Sequence, residues 1–221
     1  MRTALLIGAS GLVGSHLLDK LLMNENYSKV TILIRSIIEI NNPKLEQAVV
    51  NFDMIEKYKD VIKADDIFSA IGTTKKNAPS QEVYTKIEYD YVVNTAKIAL
   101  ENGASQFFMI SSMGADVNSR IFYSRLKARV ENAVSSLGFK SVFIFRPSFI
   151  VGSRKEHRSG EGFLKILMKI LSPFMFGPYK KWRAINADAI AEAMVWYALQ
   201  NLEGIHIIES NKIQQTFNNI K

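Results

Sequence analysis

The stretch that decides the fold of this chain is Gly8-Ala9-Ser10-Gly11-Leu12-Val13-Gly14. It directly follows the apolar run from Thr3 to Ile7, and it precedes residues 15–23, in which leucines recur at helical spacing. Between a first strand and a first helix, the first glycine permits a tight turn, the second lets the backbone approach a phosphate, and the third lets helix and strand pack closely. The helix N-terminus adds N–H donors and a partial positive charge. The spacing G-x-x-G-x-x-G departs from G-x-G-x-x-G, so the position of the motif is its main support.

The rest of the chain alternates short apolar strands with helices. Strands are predicted at 30–34, 48–50, 66–71, 106–110, 142–145 and 205–208, and helices at 80–102 and 123–137. Such alternation predicts a doubly wound α/β (Rossmann) fold, with a mostly parallel sheet of six to seven strands and the first strand near its centre. We expect one domain over residues 1–221, with a substrate-side segment at about 148–185 and a loosely held polar tail from Asn211.

Composition excludes several classes of protein. The chain has 221 residues and no cysteine, and its three histidines are scattered, so neither a disulfide framework nor a metal site is expected. The basic residues behind the net charge of +7 are dispersed, which favours a solvated surface over a nucleic-acid site. No apolar run reaches the length of a membrane span, although the basic run at 180–183 leaves weak peripheral membrane contact open. Because no targeting segment is recognisable, we expect a cytoplasmic protein.

A second motif, Tyr123-Ser124-Arg125-Leu126-Lys127, opens a helix more than a hundred residues after the first. Tyr123 and Lys127 are four apart and share a helix face, and Ser112 follows the preceding strand. A neighbouring ammonium favours the phenolate and lowers the pKa of a tyrosine that must transfer a proton. A serine at the strand end would hold the substrate oxygen. Alone, the pattern is an ordinary amphipathic helix face; after a phosphate-binding turn it indicates carbonyl–alcohol chemistry with a nicotinamide dinucleotide.

Residues at the ends of three strands indicate how the dinucleotide is held. Arg35 ends the second strand, where a carboxylate would favour NAD; an arginine suits a 2′-phosphate and favours NADP, the alternative being an ordinary strand-end arginine. Asp53, after the third strand, is either an adenine contact or a solvated turn residue. Gly72 and Thr73, after the fourth strand, are expected beside the ribose and pyrophosphate.

The motifs together resemble an atypical short-chain dehydrogenase/reductase. More narrowly, the chain resembles the Tat-interacting-protein oxidoreductase branch and its bacterial relatives. The residues that carry the resemblance are Gly8 to Gly14, Ile71-Gly72-Thr73-Thr74, Ser111-Ser112-Met113-Gly114-Ala115-Asp116, Tyr123 to Lys127, Phe145-Arg146-Pro147, and the charged stretch Arg154 to Glu161.

The resemblance implies an NADP(H)-binding protein with a Ser–Tyr–Lys apparatus, which maps to Ser112, Tyr123 and Lys127. The asparagine that completes a tetrad in typical members has no secure equivalent, and Asn94 is the nearest match. Predicted cofactor-binding residues are Gly8, Ser10, Gly11, Leu12, Val13, Gly14, Arg35, Asp53, Gly72, Thr73, Tyr123, Lys127 and Pro147.

These motifs are compatible with two classes of function. The first is an NADPH-dependent oxidoreductase that reduces a carbonyl or quinone-like lipophilic small molecule. The broad apolar face predicted for helix 163–171 either lines a lipophilic pocket or covers the core, and the first of these suggests the lipophilic substrate. The second is an NADP(H)-binding regulatory or partner-binding protein with little turnover. The sequence favours the first because the Ser–Tyr–Lys set is intact, and it leaves the oligomeric state open.

Overall fold

Strands at the predicted positions pair into one sheet. The computed structural model describes residues 1–74, 77–152 and 183–220. Its strands are β1 (Arg2–Ile7), β2 (Tyr27–Ile34), β3 (Leu45–Val49), β4 (Asp66–Ser69), β5 (Gln106–Ile110), β6 (Ser141–Arg146), β7 (Ile150–Val151), β8 (Ile185–Asn186) and β9 (Gly204–Glu209). Seven of them form an all-parallel sheet in the order β3-β2-β1-β4-β5-β6-β9, and β7 pairs with β8 separately. The predicted doubly wound sheet, with β1 near its centre, is confirmed.

Helices form most of the connections between the strands. They are α1 (Leu12–Met23), a 3-10 segment (Phe52–Val61), α2 (Gln81–Thr85), a π-helical turn (Lys86–Asp90), α3 (Tyr91–Glu101), α4 (Phe122–Ser135), α5 (Ala187–Ala198) and α6 (Ser210–Ile220). None of the helices in the described ranges is long and apolar enough to cross a membrane.

Both faces of the sheet are covered, because successive residues of a strand point to opposite sides. Ala4 and Leu6 of β1 lie in a core cluster with residues of α1 and α5. Leu5 and Ile7 lie in a second cluster with residues of α3 and α4. This burial on both faces explains why β1 reads as a continuous apolar run.

The parallel arrangement also fixes where the functional motifs meet. The chain leaves every parallel strand at the same edge of the sheet, so the glycine turn after β1, Gly72 after β4 and Ser112 after β5 share the carboxyl edge. Helix α4 begins at this edge, because it runs back from the end of β5 to the start of β6.

Three expectations differ from the structure or fall outside it. The predicted helix at 80–102 is interrupted by the π-helical turn at 86–90. The prediction of a loosely held tail is wrong, because α6 buries Ile213 fully and packs Phe217 against the core at helical spacing. The predicted substrate-side segment, including helix 163–171, the charged stretch 154–161 and the basic residues 180–182, lies mostly outside the described residues.

At the opposite, amino-terminal edge of the sheet, a buried carboxylate joins two strands. Asp66, at the start of β4, is fully buried and accepts two hydrogen bonds from Arg2 and one of 2.7 Å from the Tyr27 hydroxyl. Burial raises the pKa of Asp66, while the hydrogen bonds from Arg2 and Tyr27 act against that rise. The carboxylate therefore satisfies donors of β1 and β2 at the cost of its own desolvation.

Replacing Asp66 by alanine should lower the free energy of unfolding by about 3 kcal/mol, because it leaves the Arg2 and Tyr27 donors without their buried acceptor. Urea denaturation measures this change. Asp60→Asn is the matched control, since that side chain is 86% exposed, and it should cost less than about 0.5 kcal/mol. Equal costs for the two variants would contradict a structural role for Asp66.

Candidate cofactor-binding and active site

The glycine turn is held by very close backbone contacts. Gly8 has a φ of +86°, and a Cβ there would lie 2.6 Å from the Ala70 carbonyl group. The Gly11 N–H donates to the Gly8 carbonyl oxygen at 3.0 Å, and a Cβ on Gly14 would lie 2.0 Å from that same oxygen. The turn therefore needs glycine at both positions. Gly8 must adopt a positive φ, and neither Gly8 nor Gly14 has room for a Cβ atom.

The start of α1 suits an anion. Gly11 is the N-cap and has no side chain to bond the first N–H groups, and the first turn contains no acidic residue. The N–H groups of that turn and the positive end of the helix dipole are therefore available to a phosphate. This fits the pyrophosphate of a dinucleotide.

A cavity of about 1010 Å³ opens beside the turn. Among the predicted residues, those that line it are Gly8, Ser10, Gly11, Arg35, Gly72 and Thr73. The predicted residues that do not line it are Leu12, Val13, Gly14, Asp53, Tyr123, Lys127 and Pro147. Val13 and Pro147 are buried, and Pro147 accepts a hydrogen bond from the Met113 N–H.

One end of the cavity carries a cation and two aromatic rings. Arg35 is exposed at the end of β2, and the rings of Phe52 and Tyr91 stack with their centroids 5.2 Å apart. The sequence-based prediction missed both aromatic residues, because neither occupies a motif position.

Asp53 is engaged beside this end of the cavity rather than in its lining. Its carboxylate accepts a 2.5 Å hydrogen bond from the Tyr91 hydroxyl and pairs with Lys86 at 2.9 Å. Burial and the Asp53 hydrogen bond raise the pKa of Tyr91 to about 12, and the charge of Arg35 opposes part of that rise. Asp53 is therefore engaged by Tyr91 and Lys86 rather than by Arg35. The adenine contact of Asp53 stays a prediction.

The candidate catalytic residues gather around α4. Tyr123 is 37% exposed on its first turn, and Lys127, one turn later, is buried with its ammonium 5.9 Å from the Tyr123 ring centroid. Ser112 is half-buried after β5, and the loop that it begins is tied to α4 by a hydrogen bond from the Asp116 N–H to the Ser124 carbonyl. The structure therefore brings the Ser112 loop and the Tyr123–Lys127 face to the same edge of the sheet, while their catalytic roles stay predictions.

The neighbouring Ser111 has a different environment. It is buried and its hydroxyl donates to Glu131, which also accepts two hydrogen bonds from Arg146. The Ser111 hydroxyl is therefore engaged in a buried hydrogen-bond network. Ser112 is the serine at this strand end that stays available to a substrate.

A residue that the sequence motifs did not mark lies directly against Lys127. Glu88, in the π-helical turn, is 1% exposed, and its Oε2 is 2.7 Å from the Lys127 ammonium. Its Oε1 accepts from the Thr73 N–H at 2.7 Å, and the Lys127 ammonium donates to the Ile110 carbonyl oxygen at 3.1 Å. Asn94, the nearest match to the tetrad asparagine, is half-buried in α3, the helix that follows the π-helical turn. The lysine is therefore contacted by a carboxylate that sequence reasoning missed.

Comparison with known proteins identifies the family. The seven-stranded sheet with a glycine turn after β1 defines a dinucleotide-binding Rossmann fold. Residues 8–141 match the NAD(P)H-binding family, and the chain belongs to that family. The mitochondrial protein fmp52 of Aspergillus niger is 32% identical over 211 residues, which cover 92% of this chain and 90% of that protein. Protein HTATIP2 of Rattus norvegicus is 32% identical over 164 residues, covering 72% and 67%.

The solved structures agree on the fold. UDP-N-acetylglucosamine 4-epimerase from Methanobrevibacter ruminantium M1 has a TM-score of 0.70 at 18% identity, covering 99% of this chain and 81% of that one. At 18% identity, this similarity supports the fold and no other property. The resemblance to atypical short-chain dehydrogenase/reductases and to the Tat-interacting-protein branch is confirmed by these comparisons together.

The expectation of a cytoplasmic protein is wrong. The fungal relatives that cover 92% of this chain are named mitochondrial proteins. Neither the lack of cysteine nor the lack of a recognisable targeting segment places a protein in a compartment, so composition was a poor guide here.

Gly14→Ala should destabilise the protein by about 1–3 kcal/mol, because the added Cβ meets the Gly8 carbonyl oxygen and either the turn or the start of α1 must move. Helix propensity alone predicts that the free energy of unfolding rises by about 1 kcal/mol, so the sign of the measured change tests the close contact. Gly72→Ala is the matched control, since its Cβ would meet nothing nearer than Glu88 at 3.9 Å. Urea denaturation of both variants is the measurement, and a stabilised Gly14→Ala protein would contradict the close packing.

Proposed function

We propose that this protein is an NADP(H)-dependent oxidoreductase that reduces a carbonyl or quinone-like lipophilic small molecule. The observation that carries the proposal is a continuous set of contacts from the cavity to a proton donor. Thr73 lines the cavity and bonds Glu88; Glu88 pairs with Lys127; and the Lys127 ammonium lies 5.9 Å from the ring centroid of the exposed Tyr123. A phosphate-binding site and a proton-transfer pair are thereby linked.

The cofactor is assigned from the chemistry of the lining residues. The uncapped start of α1 suits the pyrophosphate, and the exposed Arg35, which lines the cavity, suits a 2′-phosphate. The Lys127 ammonium donates one hydrogen bond to the Ile110 carbonyl oxygen and forms an ion pair with Glu88, so a remaining N–H donor suits a ribose hydroxyl. When bound, the cofactor supplies the hydride.

The residues of this chain supply the rest of the reaction. Ser112 donates a hydrogen bond to the substrate oxygen and stabilises the charge that develops there. Tyr123 transfers its phenolic proton to that oxygen and recovers a proton from solvent, to which its side chain is partly open. Lys127 orients the ribose and provides positive charge beside the phenol. The lipophilic character of the substrate rests on the sequence of residues 163–171, outside the described ranges.

One observation favours the second candidate, an NADP(H)-binding regulatory or partner-binding protein with little turnover. Glu88 places a full negative charge 2.7 Å from the Lys127 ammonium and offsets the positive charge on which proton transfer from Tyr123 depends. Turnover by the unmodified protein with the substrate panel given below separates the two candidates.

Arg35→Ala should remove most of a preference for NADPH over NADH, because a charge-assisted contact with a phosphate is typically worth about 1.5–3 kcal/mol, or roughly 10- to 150-fold in affinity. Fluorescence titration with each nucleotide measures the preference. Arg129→Ala, an exposed arginine of α4, should retain it. Equal affinity of the unmodified protein for both nucleotides would overturn the assignment of Arg35.

Tyr123→Phe should slow turnover by about 10²- to 10⁴-fold, the usual contribution of general acid catalysis, while NADPH affinity changes little. NADPH oxidation is followed with a panel of lipophilic aldehydes, ketones and quinones. Tyr58→Phe removes a hydroxyl in the 3-10 segment and serves as control. Unchanged turnover of an aldehyde or ketone by Tyr123→Phe would exclude Tyr123 as the acid. NADPH binding without any turnover would favour the regulatory candidate.

A further inference from the structure

Glu88 occupies a position that packing alone does not explain. It is a charged side chain in the π-helical turn between α2 and α3, yet it is only 1% exposed. π-helical turns inside α-helices are rare and are frequent at functional sites. The turn changes the helical register at residues 86–90, where Glu88 lies between the half-buried Ile87 and Tyr89. A buried carboxylate is costly unless it is paired and hydrogen-bonded.

Each carboxylate oxygen of Glu88 has a separate partner. Oε2 contacts the Lys127 ammonium at 2.7 Å, and Oε1 accepts from the Thr73 N–H at 2.7 Å. The Tyr84 hydroxyl of α2 donates a 3.1 Å hydrogen bond to the Thr73 carbonyl oxygen. The backbone N–H and the backbone carbonyl of Thr73 are therefore both bound by side chains of residues 84–88. Glu88 therefore joins a wall of the cofactor cavity to the lysine of α4.

We propose that Glu88 is a positioning residue that acts through Lys127: it holds the lysine charged and in place for the cofactor ribose, and it fixes Thr73 in the cavity wall. This inference rests on the proposed function, since it assigns Glu88 to the binding of the same cofactor. Glu88 touches Lys127 and not the reacting atoms, so it is not itself a catalytic residue.

The surroundings of Lys127 show why its charge depends on Glu88. Burial acts to lower the pKa of Lys127, but the charge of Glu88, with contributions from Tyr123 and Tyr84, raises it above its ordinary value. The groups that face the ammonium are the Glu88 carboxylate, the Ile110 carbonyl oxygen and the side chains of these two tyrosines. Glu88 is the only carboxylate in this set. Without it, burial dominates and lowers the pKa of Lys127 below its ordinary value of about 10.4, so the lysine loses its proton within the range tested below.

The test is the pH dependence of NADPH binding, measured by nucleotide fluorescence from about pH 7 to about pH 9.5. The unmodified protein should show nearly constant affinity, because Lys127 stays charged across this range. Glu88→Gln keeps the size of the side chain and an acceptor for Thr73 but removes the charge. Its NADPH affinity should fall by at least about tenfold as the pH rises and Lys127 deprotonates. Glu82→Gln, an exposed glutamate of α2, should follow the unmodified protein.

The outcomes separate this inference from the proposed function. If the unmodified protein does not bind NADPH, the proposed function fails. If it binds, and Glu88→Gln shows the same flat profile, Glu88 does not control the charge of Lys127 and the inference fails alone. Glu88→Asp, which keeps the charge, should restore a flat profile; a profile like that of Glu88→Gln would point to side-chain length instead and overturn the inference.

A Glu88→Gln protein that does not fold still allows a decision. Adding Lys127→Met then removes the buried lysine that has lost its partner, and the double variant should regain the cooperative melting transition that Glu88→Gln lacks. A double variant no more stable than the single one would overturn the coupling between the two residues.

Discussion

The rest of this structure depends on how closely the backbone after β1 approaches its neighbours. The Gly8 backbone lies so near Ala70 at the end of β4 that no Cβ fits between them, and the Gly8 carbonyl oxygen faces Gly14 with equally little room. This packing sets α1 directly against the carboxyl edge of the sheet. The uncapped start of the helix consequently borders the cavity, and its N–H groups and dipole are available to a phosphate.

From that point the site extends across three strands to α4. The end of β4 contributes Thr73 to the cavity, and β5 contributes the Ile110 carbonyl oxygen that accepts from Lys127. Glu88 connects these two positions from outside the sheet, through a helical segment that loses its regular α geometry at that residue. The cavity wall and the helix face that carries Tyr123 and Lys127 are thus joined by a buried ion pair, whose charges are little screened by solvent.

The sequence predicted the parts of this molecule that follow from local patterns. The apolar run of β1, the glycine spacing and the four-residue separation of Tyr123 and Lys127 are sufficient for the fold class and for the edge where the site lies. Arg35 lines the cavity, because a strand end in a doubly wound sheet has a fixed location, and its role in binding a 2′-phosphate stays a prediction. These signals need no knowledge of tertiary contacts.

Features that depend on tertiary contacts were not predictable. Phe52 and Tyr91 meet only after the 3-10 segment packs against α3, and Asp53 is drawn to Tyr91 and Lys86 by the same packing. Glu88 is indistinguishable in sequence from a solvated helix glutamate, since its burial depends on the π-helical turn and on a lysine 39 positions away. The polar tail was misjudged because its apolar residues, Ile213 and Phe217, are few, although their helical spacing suffices to anchor α6.

A crystal structure with NADP⁺ bound would test the proposed cofactor site most directly. We expect the pyrophosphate at the N–H groups of the first turn of α1, the 2′-phosphate in contact with Arg35, and a hydroxyl of the nicotinamide ribose about 3 Å from the Lys127 ammonium. We also expect the Glu88–Lys127 pair to stay intact on binding. A dinucleotide whose nicotinamide end lies away from Lys127, or whose phosphates avoid the glycine turn, would contradict this assignment.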